Sequence, residues 1–187
     1  MKKLMILSMT ASFLLLSSLE IYSQAKPPAF YVDKGACPFE CCVYRKWKTL
    51  KTTSAFALPN ARSKSVGKFA AGSNVVAVTG EVHSVPGRFV VRKRHGKYNP
   101  GDILWTYTYL GEGIVKIWFN GRWDEEQLGD APPPGQSCQA SKYCWGEIMQ
   151  EAKSTWWIKI KSREGWIGWT NQGKNFCGSD ECGGDCK

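Results

Sequence analysis

The segment 156–170, WWIKIKSREGWIGWT, constrains the fold more than any other part of this chain. Its first half has the period of two that is typical of a half-buried strand. One face of this strand would carry Trp156, Ile158 and Ile160, and the other face would carry Trp157, Lys159 and Lys161. A glycine-containing turn at 162–165 leads into a second short strand at 166–170. Because each aromatic side chain buries ~150–250 Å², four tryptophans in one hairpin predict that this hairpin closes a hydrophobic core.

The first 25 residues have the features of a secretory signal peptide. Lys2 and Lys3 precede an apolar run at 4–16, and Ser23-Gln24-Ala25 provides a small-x-small cleavage pattern. The alternative is an N-terminal membrane anchor, but the apolar run is shorter than the ~20 residues that a spanning helix needs. We therefore expect cleavage after Ala25 and an exported chain that is periplasmic or extracellular and does not span the membrane.

The charge of the chain narrows the choice of partners. The formal net charge of +9 becomes +8 when Lys2, Lys3 and Glu20 leave with the signal peptide. An exported basic protein is steered toward anionic polymers of the cell envelope, although the same charge is also typical of an ordinary solvated surface. The basic run at 92–97 has the composition of a phosphate contact. Export nevertheless makes nucleic acid a poor candidate partner.

Eight cysteines lie in the exported part of the chain. They form three clusters: Cys37, Cys41 and Cys42; Cys138 and Cys144; and Cys177, Cys182 and Cys186. An even number of cysteines in an exported chain predicts disulfides, and eight allow 105 connectivities. We expect Cys138 and Cys144 to close a small loop and the two end clusters to pair with each other at least in part. Zinc binding by the thiolates is the alternative, which an oxidising compartment disfavours, so we predict no metal and no other cofactor.

Several short motifs resemble the bacterial SH3 family (SH3b, SH3 type 3). They are Leu58-Pro59, SVGKF at 65–69, AGSNV at 71–75, WIKI at 157–160 and GWIGWT at 165–170. The resemblance covers about residues 53–82 and 155–170. It implies an SH3-like small barrel, with peptidoglycan peptides or a protein partner as the class of ligand. The chain departs from the family at about 83–154, where the family has one or two short strands.

This insertion is itself predicted to be a β-meander. Alternating residues at 103–110 and 114–119 indicate two strands, and Asn120-Gly121 is a strong type I′ hairpin signal. A stiff proline loop follows at 131–135. The spacing of Trp145, Ile148 and Met149 predicts one short helix at 141–152.

We therefore predict an all-β fold for residues 26–187. It is a single domain, an SH3-like small barrel elaborated by an inserted antiparallel meander, with one short helix. Disulfides cross-link the domain, and its cysteine-rich tail comprises residues 177–187.

The sequence offers no recognisable catalytic site. His83 and His95 are interpreted as structural or solvated, and a Cys–His pair would need a free thiolate. Asp124, Glu125 and Glu126 are consecutive, so on a strand they alternate between faces, which is poor geometry for a glycosidase pair. The chain has no G-x-S-x-G elbow and no Walker or metal motif. We predict that the protein is not an enzyme.

Aromatic residues of the insertion carry the remaining functional signal. Our candidate ligand-binding residues are Tyr98, Trp105, Tyr107, Tyr109, Glu112, Trp118 and Trp123. The stripe that begins at Trp105 either faces the core or forms a platform that stacks on sugars or peptides. Trp118 shares its face with Lys116 and is expected to be exposed, as is Trp123. Glu112 lies in a turn flanked by glycines, within reach of a ligand.

These features predict an exported, non-catalytic binding protein of the cell envelope. The expected ligand is a cell-wall polymer, through peptidoglycan peptide or glycan, or an envelope protein. Two alternatives stay open at this point: a cell-wall hydrolase with an unrecognised site, and a secreted structural or inhibitor-like protein. The sequence does not indicate an oligomeric state.

Overall fold

A computed structural model of the chain describes residues 25–138, 141–183 and 186. The signal peptide predicted at 1–25 therefore lies outside the described residues except for Ala25. The described part is all-β, which confirms the predicted class. No helix within it is long and apolar enough to cross a membrane. The strands are β1 (Tyr31–Lys34), β2 (Lys46–Thr49), β3 (Thr53–Phe56), β4 (Ser65–Phe69), β5 (Asn74–Val85), β6 (Gly87–Val91), β7 (Ile103–Gly111), β8 (Ile114–Phe119), β9 (Arg122–Gln127), β10 (Gly146–Gln150), β11 (Lys153–Lys161), β12 (Ile167–Thr170) and β13 (Phe176–Cys177).

The first sheet curls into a half-barrel around the long strands β5 and β11. Its strand order is β13-β2-β5-β11-β12-β3-β4, and β1 also pairs with β5. The 12-residue β5 is long enough for β2 to pair with its first half and β1 with its second half. The predicted hairpin is confirmed as β11 and β12, with Ile158 opposite Thr170 and Lys161 opposite Ile167.

The insertion forms a second antiparallel sheet with the order β10-β6-β7-β8-β9. The predicted meander is confirmed as β7, β8 and β9. The chain leaves the first sheet after Val85 and returns at Lys153, and these two residues face each other across β5 and β11. Because β6 and β10 also pair, the insertion leaves and re-enters the half-barrel through two adjacent strands.

The helix predicted at 141–152 is wrong, because this segment contains strand β10. A Cβ atom on Gly146 would lie only 2.2 Å from the ring of Phe89, so the β10 backbone packs directly on that ring. Trp145 contributes to the same contact, with its ring centroid 4.6 Å from that of Phe89. Tertiary packing therefore overrides the helical spacing of the apolar residues. Within the described residues, helical geometry is limited to the 3-10 turn Gly173–Asn175.

The tryptophan hairpin closes the core of the first sheet, as predicted. Trp156 and Trp166 pack against a buried cluster to which Ile158 and Ile160 belong. The cluster comprises Trp47, Ala55, Phe69, Val75, Ala77, Ile158, Ile160 and Phe176. Trp157 is buried separately, because strand alternation turns it away from Trp156 and toward Phe56 and His83.

The second sheet has its own core on one of its two faces. The buried cluster comprises Phe89, Val91, Tyr98, Leu104, Ile117, Leu128 and Trp145. Because side chains alternate along each strand, the neighbours of these residues on β6, β7 and β8 point to the opposite face of the sheet.

All eight cysteines are paired in disulfides within the described residues. Cys138 and Cys144 close the small loop that was predicted. Cys41 and Cys182, 141 residues apart in sequence, join the two end clusters, as predicted in part. The remaining pairs, Cys37–Cys42 and Cys177–Cys186, form within their own clusters.

Candidate ligand-binding site

Three tryptophans stand in one row across β7, β8 and β9. Trp105 is directly opposite Trp118, and Trp118 is directly opposite Trp123. Directly opposed residues of antiparallel strands project from the same face of a sheet, so we call Trp105, Trp118 and Trp123 the tryptophan face. Arg88 continues the row on β6, opposite Trp105. The cross-strand register therefore gathers residues 88, 105, 118 and 123 into a single surface beside the core.

The exposure of the aromatic candidates separates them into two groups. Trp123 retains 37% of its surface, as predicted, and Trp105 is half-buried. The prediction that Trp118 is exposed is wrong, because its ring is half-buried between its neighbours and the segment that precedes β1. Tyr98 and Tyr107 are only 1% and 2% exposed. Tyr98 lies in the core of the second sheet, with its ring parallel to that of Trp145. Neither tyrosine therefore presents a ring face to solvent.

Tyr109 and Glu112 lie away from the tryptophan face. An extra residue between Thr106 and Tyr109 shifts the register of β7, so Tyr109 pairs with Val115, which packs against the core. The Tyr109 hydroxyl donates a hydrogen bond to the Glu40 carboxylate, which also accepts one from the backbone amide of Glu112. The Glu40 contact raises the pKa of Tyr109, and the two donors lower the pKa of Glu40. The predicted stripe is therefore broken by a β-bulge.

A cleft of about 490 Å³ opens beside Trp123 at the β8–β9 turn. Lys97, Arg122 and Asp124 contribute its charged groups, and Phe119 and Asn120 complete the wall. The hydrogen bond from Lys97 lowers the pKa of Asp124 below its usual range. On the tryptophan face itself, Lys116 and Glu125 form an ion pair with an N–O distance of 3.1 Å. The exposed indole thus has charged neighbours of both signs.

The segment that precedes β1 lies across the tryptophan face. The Trp118 indole donates to the carbonyl of Ala25 at 3.3 Å, and the Tyr107 hydroxyl donates to the carbonyl of Pro28 at 2.6 Å. The ring of Tyr31 lies 4.7 Å from Trp123. Burial of this kind raises the pKa of Tyr107 to about 12. The sequence did not lead us to predict this contact. The feature that could have indicated it is the Lys26-Pro27-Pro28 run, which precedes the aromatic pair Phe30-Tyr31.

A second cleft, of about 540 Å³, lies where β5 meets β11 in the first sheet. His83 Nε2 is 3.0 Å from a carboxylate oxygen of Glu81, and both side chains are less than one-fifth exposed. Phe30 packs edge-on against the His83 ring, and Trp157 lines the same cleft. The sequence interpretation of His83 as structural or solvated did not identify this pair. The carboxylate therefore fixes the orientation of the imidazole at the wall of the cleft.

Comparisons with protein-family models, with characterised proteins and with solved structures find no match for this chain. The SH3b resemblance therefore rests on its short motifs and stays a prediction.

Proposed function

We propose that this chain is an exported, non-catalytic binding protein of the cell envelope. Its ligand is peptidoglycan peptide or glycan, or an envelope protein. The observation that carries the proposal is the tryptophan face, an ordered row of indoles that does not form part of either buried core. Contact surfaces of this kind concentrate binding energy in a few aromatic anchors.

The geometry of Trp123 makes it the leading anchor. Trp118 and Tyr107 make edge-to-face contacts with its ring, at 5.1 Å and 4.8 Å between centroids, and Tyr31 packs on it at 4.7 Å. A ring fixed in this way loses little conformational freedom when a ligand covers its outer side, which favours affinity.

Two general properties of the chain support an envelope location. Four disulfides are compatible with an oxidising compartment, where such bonds persist. The net charge, +9 for the whole chain and +8 once Lys2, Lys3 and Glu20 leave with the signal peptide, attracts the exported protein to anionic polymers before contact. In this proposal, charge attracts the protein to the envelope, and the aromatic residues provide the contact that persists when salt screens the charges.

Sedimentation with purified cell walls at rising salt concentration tests the proposal. Attraction between exposed charges fades with salt, because the screening length is ~10 Å at 0.1 M, whereas aromatic contact survives. We expect part of the binding to persist at high salt. Failure to bind at any salt concentration would contradict the envelope proposal and favour the secreted structural or inhibitor-like alternative.

The Glu81–His83 pair supports a second candidate, a cell-wall hydrolase. A histidine oriented by a carboxylate is a common arrangement for a general base, and this one lines a cleft. Incubation of cell walls with the protein, followed by measurement of released sugar reducing ends and free amines, distinguishes the two candidates. The binding proposal predicts no release above that of a His83→Gln variant. Release that depends on His83 would establish the hydrolase instead.

A further inference from the structure

The tryptophan face already carries an occupant, the segment 25–28, which we call the N-terminal strap. The strap touches the face through two carbonyl oxygens, those of Ala25 and Pro28. Ala25 also lies against the β8–β9 turn, since a Cβ on Gly121 would be 3.3 Å from its methyl group. Pairing with the first sheet begins only at Tyr31. The strap is therefore held by the aromatic surface and not by a β-ladder.

Sequence constrains the shape of the strap. Pro27 and Pro28 have φ fixed near −65°, and a residue that precedes proline is pushed out of the helical region. Lys26 and Pro27 are thus restricted to an extended conformation of the polyproline II type, and the fixed φ of Pro28 fits the same conformation. In that conformation the carbonyls of residues i and i+3 point to the same side, ~9 Å apart. Ala25 and Pro28, whose carbonyls are bound, have this i, i+3 relation.

The face supplies donors at a matching spacing. Trp118 is opposite Trp105, and Tyr107 lies two residues farther along β7. Such diagonal neighbours are ~7–8 Å apart, and their indole and hydroxyl groups extend far enough to reach both carbonyls. Proline lacks an N–H group, so a proline segment is recognised by donors to its carbonyls and by flat aromatic surfaces. The tryptophan face provides both features.

We propose that the tryptophan face, with Tyr107, is a binding site for an extended proline-rich peptide and that the N-terminal strap is its intramolecular occupant. This inference rests on the proposed binding function and specifies the protein-partner class of ligand. Cleavage after Ala25, where the sequence predicts processing, removes one of the two bound carbonyls. The Trp118 indole N–H is then free to donate to a carbonyl of an incoming peptide, while the Pro28 carbonyl keeps the rest of the strap on Tyr107.

The test measures binding of a synthetic oligoproline peptide to the exported protein, with its N-terminus established by intact mass. Indole N–H signals of Trp118 and Trp123, assigned with single variants, report the contact by nuclear magnetic resonance. The double variant Pro27→Gly/Pro28→Gly loosens the strap without touching either core. If the strap fills the face nine-tenths of the time in the wild type, this variant should bind oligoproline about tenfold more tightly than the wild type does. The matched control, Pro133→Gly/Pro134→Gly, changes an exposed proline loop and should leave the affinity unchanged.

Further variants keep the test decisive. Trp118→Phe retains a ring and removes the N–H donor, so oligoproline affinity should fall severalfold while the fold persists. Equal affinities for the strap variant and the wild type, or equal binding of a Gly-Ser peptide of the same length, would overturn the proposal. Self-association that depends on Pro133 and Pro134 would show that the proline loop of a second copy fills the face, and would overturn the claim that the strap is its occupant. Oligoproline binding without cell-wall binding would support this inference and contradict the envelope proposal. Cell-wall binding without oligoproline binding would support the envelope proposal and contradict this inference.

Discussion

Trp118 and Trp123 stand opposite each other on β8 and β9, with ring centroids 5.1 Å apart and ring planes at 73°. Their edge-to-face contact leaves the outer side of Trp123 in solvent, where 37% of the residue remains exposed. Aromatic pairs of this geometry contribute stability beyond their buried area. The exposed indole is therefore a rigid part of the sheet and is available for contact.

The disulfide between Cys41 and Cys182 should contribute more stability than the one between Cys138 and Cys144. The two bonds close loops of 141 and 6 residues. Because the loss of chain entropy in the unfolded state grows with loop length, the expected contributions are ~5 and ~2 kcal/mol. Urea unfolding of the Cys41→Ser/Cys182→Ser and Cys138→Ser/Cys144→Ser variants measures both. Equal losses, or free thiols in the unreduced wild-type protein, would contradict this account of the cysteines.

The tryptophan hairpin should be sensitive to truncation on both of its faces. Trp157 is 5% exposed, so Trp157→Ala should lower the free energy of unfolding by ~3–5 kcal/mol through lost burial and a cavity. Trp166→Ala should cost less, because that ring is half-buried, although it stacks on Phe69 at 4.7 Å. Tyr143→Ala is the matched control, since Tyr143 is 64% exposed and a surface change is worth within ~0.5 kcal/mol. Unchanged melting temperatures in both tryptophan variants would show that the hairpin does not close the core.

Ionisation of the buried Tyr107 phenol should lower the stability of the fold in alkaline solution. Burial raises its pKa from 10.0 to about 12. Between these values the unfolded chain releases the phenolic proton and the folded chain keeps it, so the free energy of unfolding falls as the pH rises. Tyr107→Phe cannot ionise and should lose less stability over this interval, while other tyrosines with raised pKa values maintain a residual slope. Urea unfolding at several pH values measures this free energy for both proteins. If it falls equally with pH in the wild type and in Tyr107→Phe, Tyr107 is not a source of the alkaline loss of stability.

Local patterns in the sequence were sufficient to predict much of the fold. The alternation around Trp156, the Asn120-Gly121 turn and the Cys138–Cys144 loop depend on neighbours in the chain, and all three are confirmed. The segment 141–152 was misassigned because its strand depends on Gly146 packing on Phe89, far away in sequence. The burial of Trp47, only 2% exposed in the first core, was not predicted either, because its short strand has few alternating apolar residues.

The candidate site was less predictable than the fold. Residues 105, 118 and 123 were all among the candidates, but only the strand register places them in one row. Tyr109 was assigned to the same stripe because period-two counting cannot detect the extra residue between Thr106 and Tyr109. The contacts of the strap with Trp118 and Tyr107 join residues that are 79 or more positions apart, and no local motif encodes them. The Glu81–His83 pair is local, because the two residues are alternate members of β5, and period-two counting along that strand could have found it.

The most direct test of the account is cell-wall binding by Trp123→Ala at high salt, with Tyr143→Ala as the matched aromatic control. Both substitutions remove an exposed ring, but only Trp123 belongs to the tryptophan face. A hot-spot aromatic contributes at least ~2 kcal/mol, so Trp123→Ala should bind ~30-fold more weakly while Tyr143→Ala binds like the wild type. A cooperative unfolding transition above the assay temperature establishes that both variants are folded, although Trp123→Ala should melt at a lower temperature because its contacts with Trp118 and Tyr107 are lost. Equal binding by Trp123→Ala and wild type, or loss of all wild-type binding with salt alone, would contradict the central claim.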